Sequence, residues 1–221
     1  NSVSSLQLWL KNGTGVTAAQ WDDSSGNARH ATQGSAGDQA DVSNGGLLFK
    51  ASEADHYDFT AINIAKNQGF CAAWVMNLVS DGANTILSDT NNEVIAIQNA
   101  NKIRLIANDD SAVDTGLFVS GEFGEADGKM LVLMNRTAAG VWSLYKDGSE
   151  LTIAADGSGS STNSSDGDNV MGFDVDTLGA RNVMGGQYFD GELLELAFWN
   201  RALTDAEIAN VNTYEVDIHS L

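Results

Sequence analysis

The sequence predicts an all-β domain: two facing antiparallel sheets forming a sandwich, with one short helix near the carboxyl end. Three observations carry this prediction. Short apolar stretches recur between clusters of Gly, Asn, Asp and Ser, which punctuate strands with turns. Several of these stretches alternate with a period of two, so that every second side chain falls on one sheet face. A single helix-start signal stands out, at Thr204-Asp205-Ala206-Glu207.

Taken in order, Leu6, Leu8 and Leu10 share one face of a first strand. Phe70, Ala72, Trp74, Met76 and Leu78 share a face of another, and Cys71, Ala73 and Val75 make its opposite face apolar too. A strand apolar on both sides belongs in the middle of a sandwich. Further strands are expected over 93–98, 102–108, 129–135, 141–146, 150–154 and 192–199, with tight turns at Asn99-Ala100-Asn101 and Asp147-Gly148. After the capping box, Ile208, Val211 and Asn212 or Glu215 follow at helical spacing. The Gly/Ser/Asp-rich stretch 156–169 has nothing to bury and reads as a mobile surface loop or an ordered loop around a ligand. With no internal repeat and no linker, residues 1–221 read as one domain, a length that all-β sandwiches commonly close around one core.

Composition narrows the partners. Thirty acidic residues against eleven basic ones give a net charge of −19, which repels nucleic acid and anionic lipid surfaces and suits saline surroundings. Apolar runs such as Met130-Leu131-Val132-Leu133-Met134 are far shorter than the ~20 residues that cross a bilayer, so no membrane insertion is expected. The single Cys71 sits in an apolar run and reads as a small hydrophobe. Sequons begin at Asn12, Asn135 and Asn163, relevant only in a glycosylating pathway. A chain starting at Asn1 without a signal-like segment reads as a piece excised from something longer.

The run from Trp21 to Thr32 resembles the Asp-x-Ser-Gly-Asn-x-x-His-Ala signature of laminin G-like, concanavalin A-like jelly rolls, with Asp23, Ser25, Gly26, Asn27 and His30 on its positions. Gly46-Leu47-Leu48-Phe49 followed by Asp55-His56-Tyr57-Asp58-Phe59 resembles that family's adjoining strand pair, and Leu144-Tyr145-Lys146-Asp147-Gly148 its hairpin. The close is similar as well: Gly191-Glu192-Leu193-Leu194-Glu195, then Asn200-Arg201-Ala202-Leu203-Thr204-Asp205-Ala206-Glu207-Ile208. The resemblance implies a jelly-roll sandwich. It also implies a structural calcium ion near Asp22 or Asp23, against the alternative of an ordinary Asx turn. Acidic loops at Asp109-Asp110 and 166–169 offer calcium further oxygens. The Trp-rich opening from Leu6 to Trp21 also resembles the lectin-like domains of outer proteins of tailed, particularly marine, bacteriophages.

Enzymes on this fold are typically glucanases that carry a strand of alternating carboxylates. Glu53-Ala54-Asp55 and Glu125-Ala126-Asp127-Gly128-Lys129 lack the third acid. Glu192 and Glu195, three apart, are expected on opposite faces of a strand; Asp174 and Asp176 share a face but read as solvated acids. His30, His56 and His219 fall in loops or the tail, and no Gly-x-Ser-x-Gly elbow occurs. The sequence therefore predicts no enzyme. Sugar recognition needs an aromatic face beside planar polar groups, and Trp21, His56, Tyr57 and Tyr188 lie in loop-like surroundings with Asp, Asn and Gln neighbours. Phe189 is a fifth such aromatic, whereas Trp9, Trp74, Trp142 and Trp199 read as core. The resulting expectation is a lectin-like module that binds a polysaccharide or surface glycan, outside the cell or on a virion surface. Two alternatives stay open: a viral structural subunit whose jelly roll contacts other virion proteins without binding sugar, and a glycosidase or lyase domain.

Overall fold

The computed structural model describes residues 5–89, 93–98, 102–107, 123–152, 165–166, 169–170, 172–181 and 187–221. In chain order the strands are β1 (Leu6–Leu10), β2 (Gln20–Trp21), β3 (Ala31–Thr32), β4 (Asp41–Ser43), β5 (Gly46–Phe49), β6 (Tyr57–Ile64), β7 (Phe70–Leu78), β8 (Asn84–Ser88) and β9 (Val94–Gln98). They continue with β10 (Lys102–Ile106), β11 (Lys129–Arg136), β12 (Trp142–Lys146), β13 (Ser149–Glu150), β14 (Ser165–Asp166), β15 (Asn169–Val170), β16 (Phe173–Leu178) and β17 (Gly191–Trp199), and end in helix α1 (Asp205–His219).

Eight strands form a front sheet in the order β13-β12-β11-β7-β17-β5-β4, with β1 beside the far end of β17. Seven form a back sheet in the order β10-β9-β8-β16-β6-β3-β2. All strand pairings among the described residues are antiparallel, as in the expected two-sheet antiparallel jelly-roll sandwich. Alternation drives this: Phe70, Ala72, Trp74 and Met76 of β7 enter the core between the sheets, while Cys71, Ala73 and Val75 face a second apolar layer under α1. The prediction that β7 lies mid-sandwich holds, since β11 and β17 flank it. The turn 99–101 and the low-complexity stretch 156–164 lie outside the described residues, as do Asp109 and Asp110. The strand expected over 150–154 is described only as the short β13, its last two residues lying outside the described ones.

Two register slips correct the simple alternation. Between Leu6 and Leu8 the pairing of β1 with β17 shifts by a residue. Leu8 and Leu10 consequently fill the central core, whereas Leu6 joins Trp9 in the layer under α1. In β17 the register against β7 slips between Leu193 and Glu195. Leu193 and Leu196 point into the sandwich, Leu194 points outward, and Glu195 meets Trp9 and His219 on that same outward side. Glu192, bonded to Asn44, therefore shares the outer face with Glu195 rather than opposing it, because a bulge adds a residue to the count. His219 is also misplaced by the sequence reading: it is the last residue of α1 and buried.

Helix α1 runs four turns. Thr204 accepts from the Glu207 amide and Glu207 reaches back to the Thr204 amide at 3.0 Å, completing the capping box. Arg201 grips Glu207 at 2.6 and 2.8 Å and donates to the Ala202 carbonyl, which ties the end of β17 to the helix start. Ile208, Val211, Asn212, Glu215 and His219 form its buried face.

Candidate functional site

One end of the sandwich gathers the loop 33–40, the loop 50–56, the turn after β7 and the loop that leads into β17. The 3-10 turn Ala51–Glu53 closes on Ala54 in the left-handed region (φ 61°), and this turn delivers His56 to the start of β6. Its imidazole Nδ1 lies 2.9 Å from the Ala54 carbonyl. A carbonyl only accepts, so Nδ1 carries the proton and Nε2 accepts from the Gln33 amide at 3.2 Å. Gln33 is itself fixed: its NH2 also donates to the His56 carbonyl at 2.9 Å and its oxygen accepts from the Ser35 amide. The half-buried Tyr188 ring leans on this locked imidazole, centroids 6.5 Å apart and planes at 45°. Beside it, Arg181 donates to Gln187 at 3.1 Å. An aromatic ring held against a fixed imidazole, with Gln187 next to it in the chain, can take the apolar face of a sugar ring.

Of the four residues proposed from sequence, the fold brings His56 and Tyr188 together and withdraws the others. Trp21 is fully buried in the core, its indole N–H spent on the Lys11 carbonyl at 3.1 Å. Tyr57 is also fully buried; its hydroxyl donates to the Ala18 carbonyl at 2.7 Å and accepts from the Ala40 amide at 3.0 Å. Burial pushes that phenol up to about 12. Neither ring offers a face to a ligand, because each polar tip secures a loop and drags the ring inward. Phe189 likewise packs on Phe49 in the core.

The carboxylates of this rim are occupied structurally. Lys50 bridges Asp41 at 2.8 Å and Glu53 at 3.3 Å. Asp55 is fully buried and accepts from the Lys50 amide; burial raises its carboxyl, the amide working against that. Gly179 has no room for a side chain: a Cβ there would lie 2.5 Å from the Phe49 ring, at φ +83°. On the outer face of the back sheet Asp174 accepts from Asn63 at 2.5 Å, and Asp176 from Thr177.

A laminin G-like family model, described as the Concanavalin A-like lectin/glucanases superfamily, matches residues 51–209. The chain belongs to this superfamily. As solved structures go, this concanavalin A-like domain is similar to Trypanosoma rangeli sialidase in complex with sialic acid (TM-score 0.62, 15% identity), over 98% of this chain and 34% of that one. It is also similar to the binding domain of Paraclostridial Mosquitocidal Protein 1 (TM-score 0.60, 13% identity), over 95% of this chain and 52% of that one. The receptor binding domain of botulinum neurotoxin mosaic serotype C/D gives a TM-score of 0.60 at 13% identity, over 96% and 51%. The chain thus spans about a third of the sialidase and half of each toxin domain. At these identities the likeness is one of fold. No curated protein matches the chain.

The run 21–32, which precedes the matched residues 51–209, is a turn built around Asp23. Both oxygens of Asp23 are filled: the amides of Trp9 and Ser25 donate to Oδ1, and the Arg29 amide and Ser25 hydroxyl to Oδ2. Burial alone would raise this carboxyl, but the amides of Ser25, Arg29 and Trp9 outweigh it and hold it below its usual range. Asn27 donates to the carbonyls of Leu6 and Gln7 and pins β1. A calcium ion needs oxygens aimed at it, whereas Asp23 is ringed by donors and Asp22 is a single half-exposed carboxylate beside Gln20 and His30. Asp22 and Asp23 do not fit the ion, and the turn is an Asx hub.

The sequence reading missed Gln33, Arg181 and Gln187, which carry no signal of their own. It also missed a buried trio, Glu195, Glu215 and His219. The four-residue spacing of Glu215 and His219 behind a capping box was the available clue.

Proposed function

We propose that this domain is a non-catalytic glycan-binding module acting outside the cell or on a virion surface. The observation that carries the reading is the half-exposed Tyr188 ring braced by the hydrogen-bonded His56–Gln33 pair at a loop end. The named neighbours support it by analogy: one is a sialidase holding a sialic acid, and two are binding domains of toxins. Catalysis finds less support, because Asp41, Glu53, Asp55 and Asp190 at this rim are each engaged by Lys50 or by a backbone amide. An assembly surface would require a contiguous apolar patch. The large hydrophobics that are exposed among the described residues come from separate segments: Val42 from β4, Val79 after β7, Val141 before β12 and Ile218 from α1. With a net charge of −19, neutral polysaccharides are favoured over polyanionic ones.

Tyr188→Ala tests this. On an array of neutral and acidic glycans, the wild-type domain binds a defined subset, and the variant loses about tenfold in affinity, or ~1.4 kcal/mol, with an unchanged melting temperature. Equal binding by the variant, or none by the wild type across the array, refutes the reading.

A further inference from the structure

We propose that Glu195, Glu215 and His219 form a binding site for one divalent transition-metal ion of the zinc class, between α1 and the outer face of the front sheet. The three side chains come from two rigid elements. Glu215 and His219 lie one turn apart on the buried face of α1, and the register slip in β17 turns Glu195 outward to meet them. One ligand atom from each lies within 4.8 Å of the others. His219 Nε2 stands 3.0 Å from Glu195 Oε2 and 3.3 Å from Glu215 Oε2. Zinc bonds of about 2.0–2.1 Å in a tetrahedron separate neighbouring ligand atoms by roughly 3.3 Å. The two separations from Nε2 lie close to this spacing, and all three ligand atoms fall within 4.8 Å.

Charge points to a cation. All three groups are buried, with Glu195 1%, Glu215 4% and His219 5% exposed. Nε2 can carry one proton, yet it faces two carboxylates, and Glu215 Oε2 makes no hydrogen bond of good geometry, with Nε2 standing 3.3 Å away. Once stripped of their protons, the imidazole and two carboxylates carry two negative charges, which a divalent ion cancels. The surroundings supply little compensation: Trp9 donates its indole N–H to Glu195 Oε1 at 2.7 Å, the Asn12 amide reaches Oε2 at 3.4 Å, and Lys129 donates to the His219 carbonyl. Tyr214 on α1 adds a phenol whose ring packs edge-on against Trp9. The indole bond holds Glu195 in place, as outer partners of metal ligands commonly do. An imidazole with two carboxylates suits zinc, manganese, iron or cobalt, whereas a soft copper(I) ion would want sulfur.

The competing occupant is a proton. A metal would displace protons from the trio, because a ligand atom must be unprotonated to bind, so affinity should rise with pH.

The test uses chelator-stripped protein titrated with Zn2+ alone, then with Co2+. One ion per chain is expected, with a melting temperature raised by about 5 °C or more at a hundredfold excess over Kd. Co2+ should develop visible absorption bands of a low-coordinate nitrogen and oxygen site. Glu215→Gln, close in shape, and His219→Gln should each abolish the shift and the bands. His30→Ala, which removes the surface histidine near Asp22, should leave both intact. No thermal shift in the wild type, or a shift retained in Glu215→Gln, overturns the proposal and leaves the trio a proton-sharing network. If either variant fails to fold, the Co2+ spectrum of the wild type, with its pH dependence, still decides.

Discussion

Arg136 is a cation held in an apolar box. It is fully buried, and its guanidinium lies 5.0 Å from the Phe70 ring centre, 5.4 Å from Phe173 and 5.5 Å from Trp142. It donates to the Gln68 carbonyl at 3.1 Å, and burial lowers its guanidinium to about 10. Three ring faces partly replace the water it has lost. Arg136→Ala removes the plug between β11 and the rings and should cost about 2–4 kcal/mol in urea unfolding; a change under about 0.5 kcal/mol would mean the rings close over the gap. Such a residue is invisible in sequence, since an arginine ending a strand normally reaches solvent. The same limit explains the candidate site. Trp21 and Tyr57 stand among polar neighbours in the chain, but carbonyls of Lys11 and Ala18 capture their polar tips and turn the rings inward. His56 and Tyr188, 132 positions apart in the sequence, meet only because the β5–β6 and β16–β17 loops share one end of the sandwich.

Among the elements, α1 was the most legible, because its start is encoded locally. Thr204, Glu207 and Arg201 lie within seven residues and their bonds depend on little else. Strands with long apolar runs, such as β7, came next. The bulges in β1 and β17 were not, since a bulge answers to the partner strand's register and leaves no mark on its own strand. The cap also sets a pH dependence. Arg201 first, then the Thr204 amide, hold the Glu207 carboxyl at about 2, below its ordinary 4.5. A carboxyl depressed in the fold contributes stability above its unfolded pKa and loses it as pH falls through the folded one. Glu207→Gln should therefore melt at least a few degrees below the wild type at neutral pH, with the gap closing between about pH 4.5 and 2. A gap independent of pH would show that the amide alone sustains the cap.

For the molecule as a whole, the sandwich follows from one constraint: two apolar sheet faces exclude water together, and a third apolar layer, Cys71, Val75, Leu133, Trp199 and Ile208 among it, seats α1 on the outside. Charge opposes this compaction. Acids outnumber bases thirty to eleven, and among the described residues ion pairs at Lys50, Lys146 and Arg201 relieve some of them. The remainder repel one another in the folded state more than in the expanded chain, where they lie farther apart. Salt shortens the reach of that repulsion, from about 30 Å at 0.01 M to about 8 Å at 0.15 M. The melting temperature should thus climb by several degrees as sodium chloride rises from about 0.01 to 0.5 M, most steeply at the dilute end. The exposed pairs weaken over the same range, but each contributes about 1 kcal/mol or less. The opposite trend, a melting temperature falling with salt, would mean those local attractions dominate and the acidic excess is already neutralised within the fold.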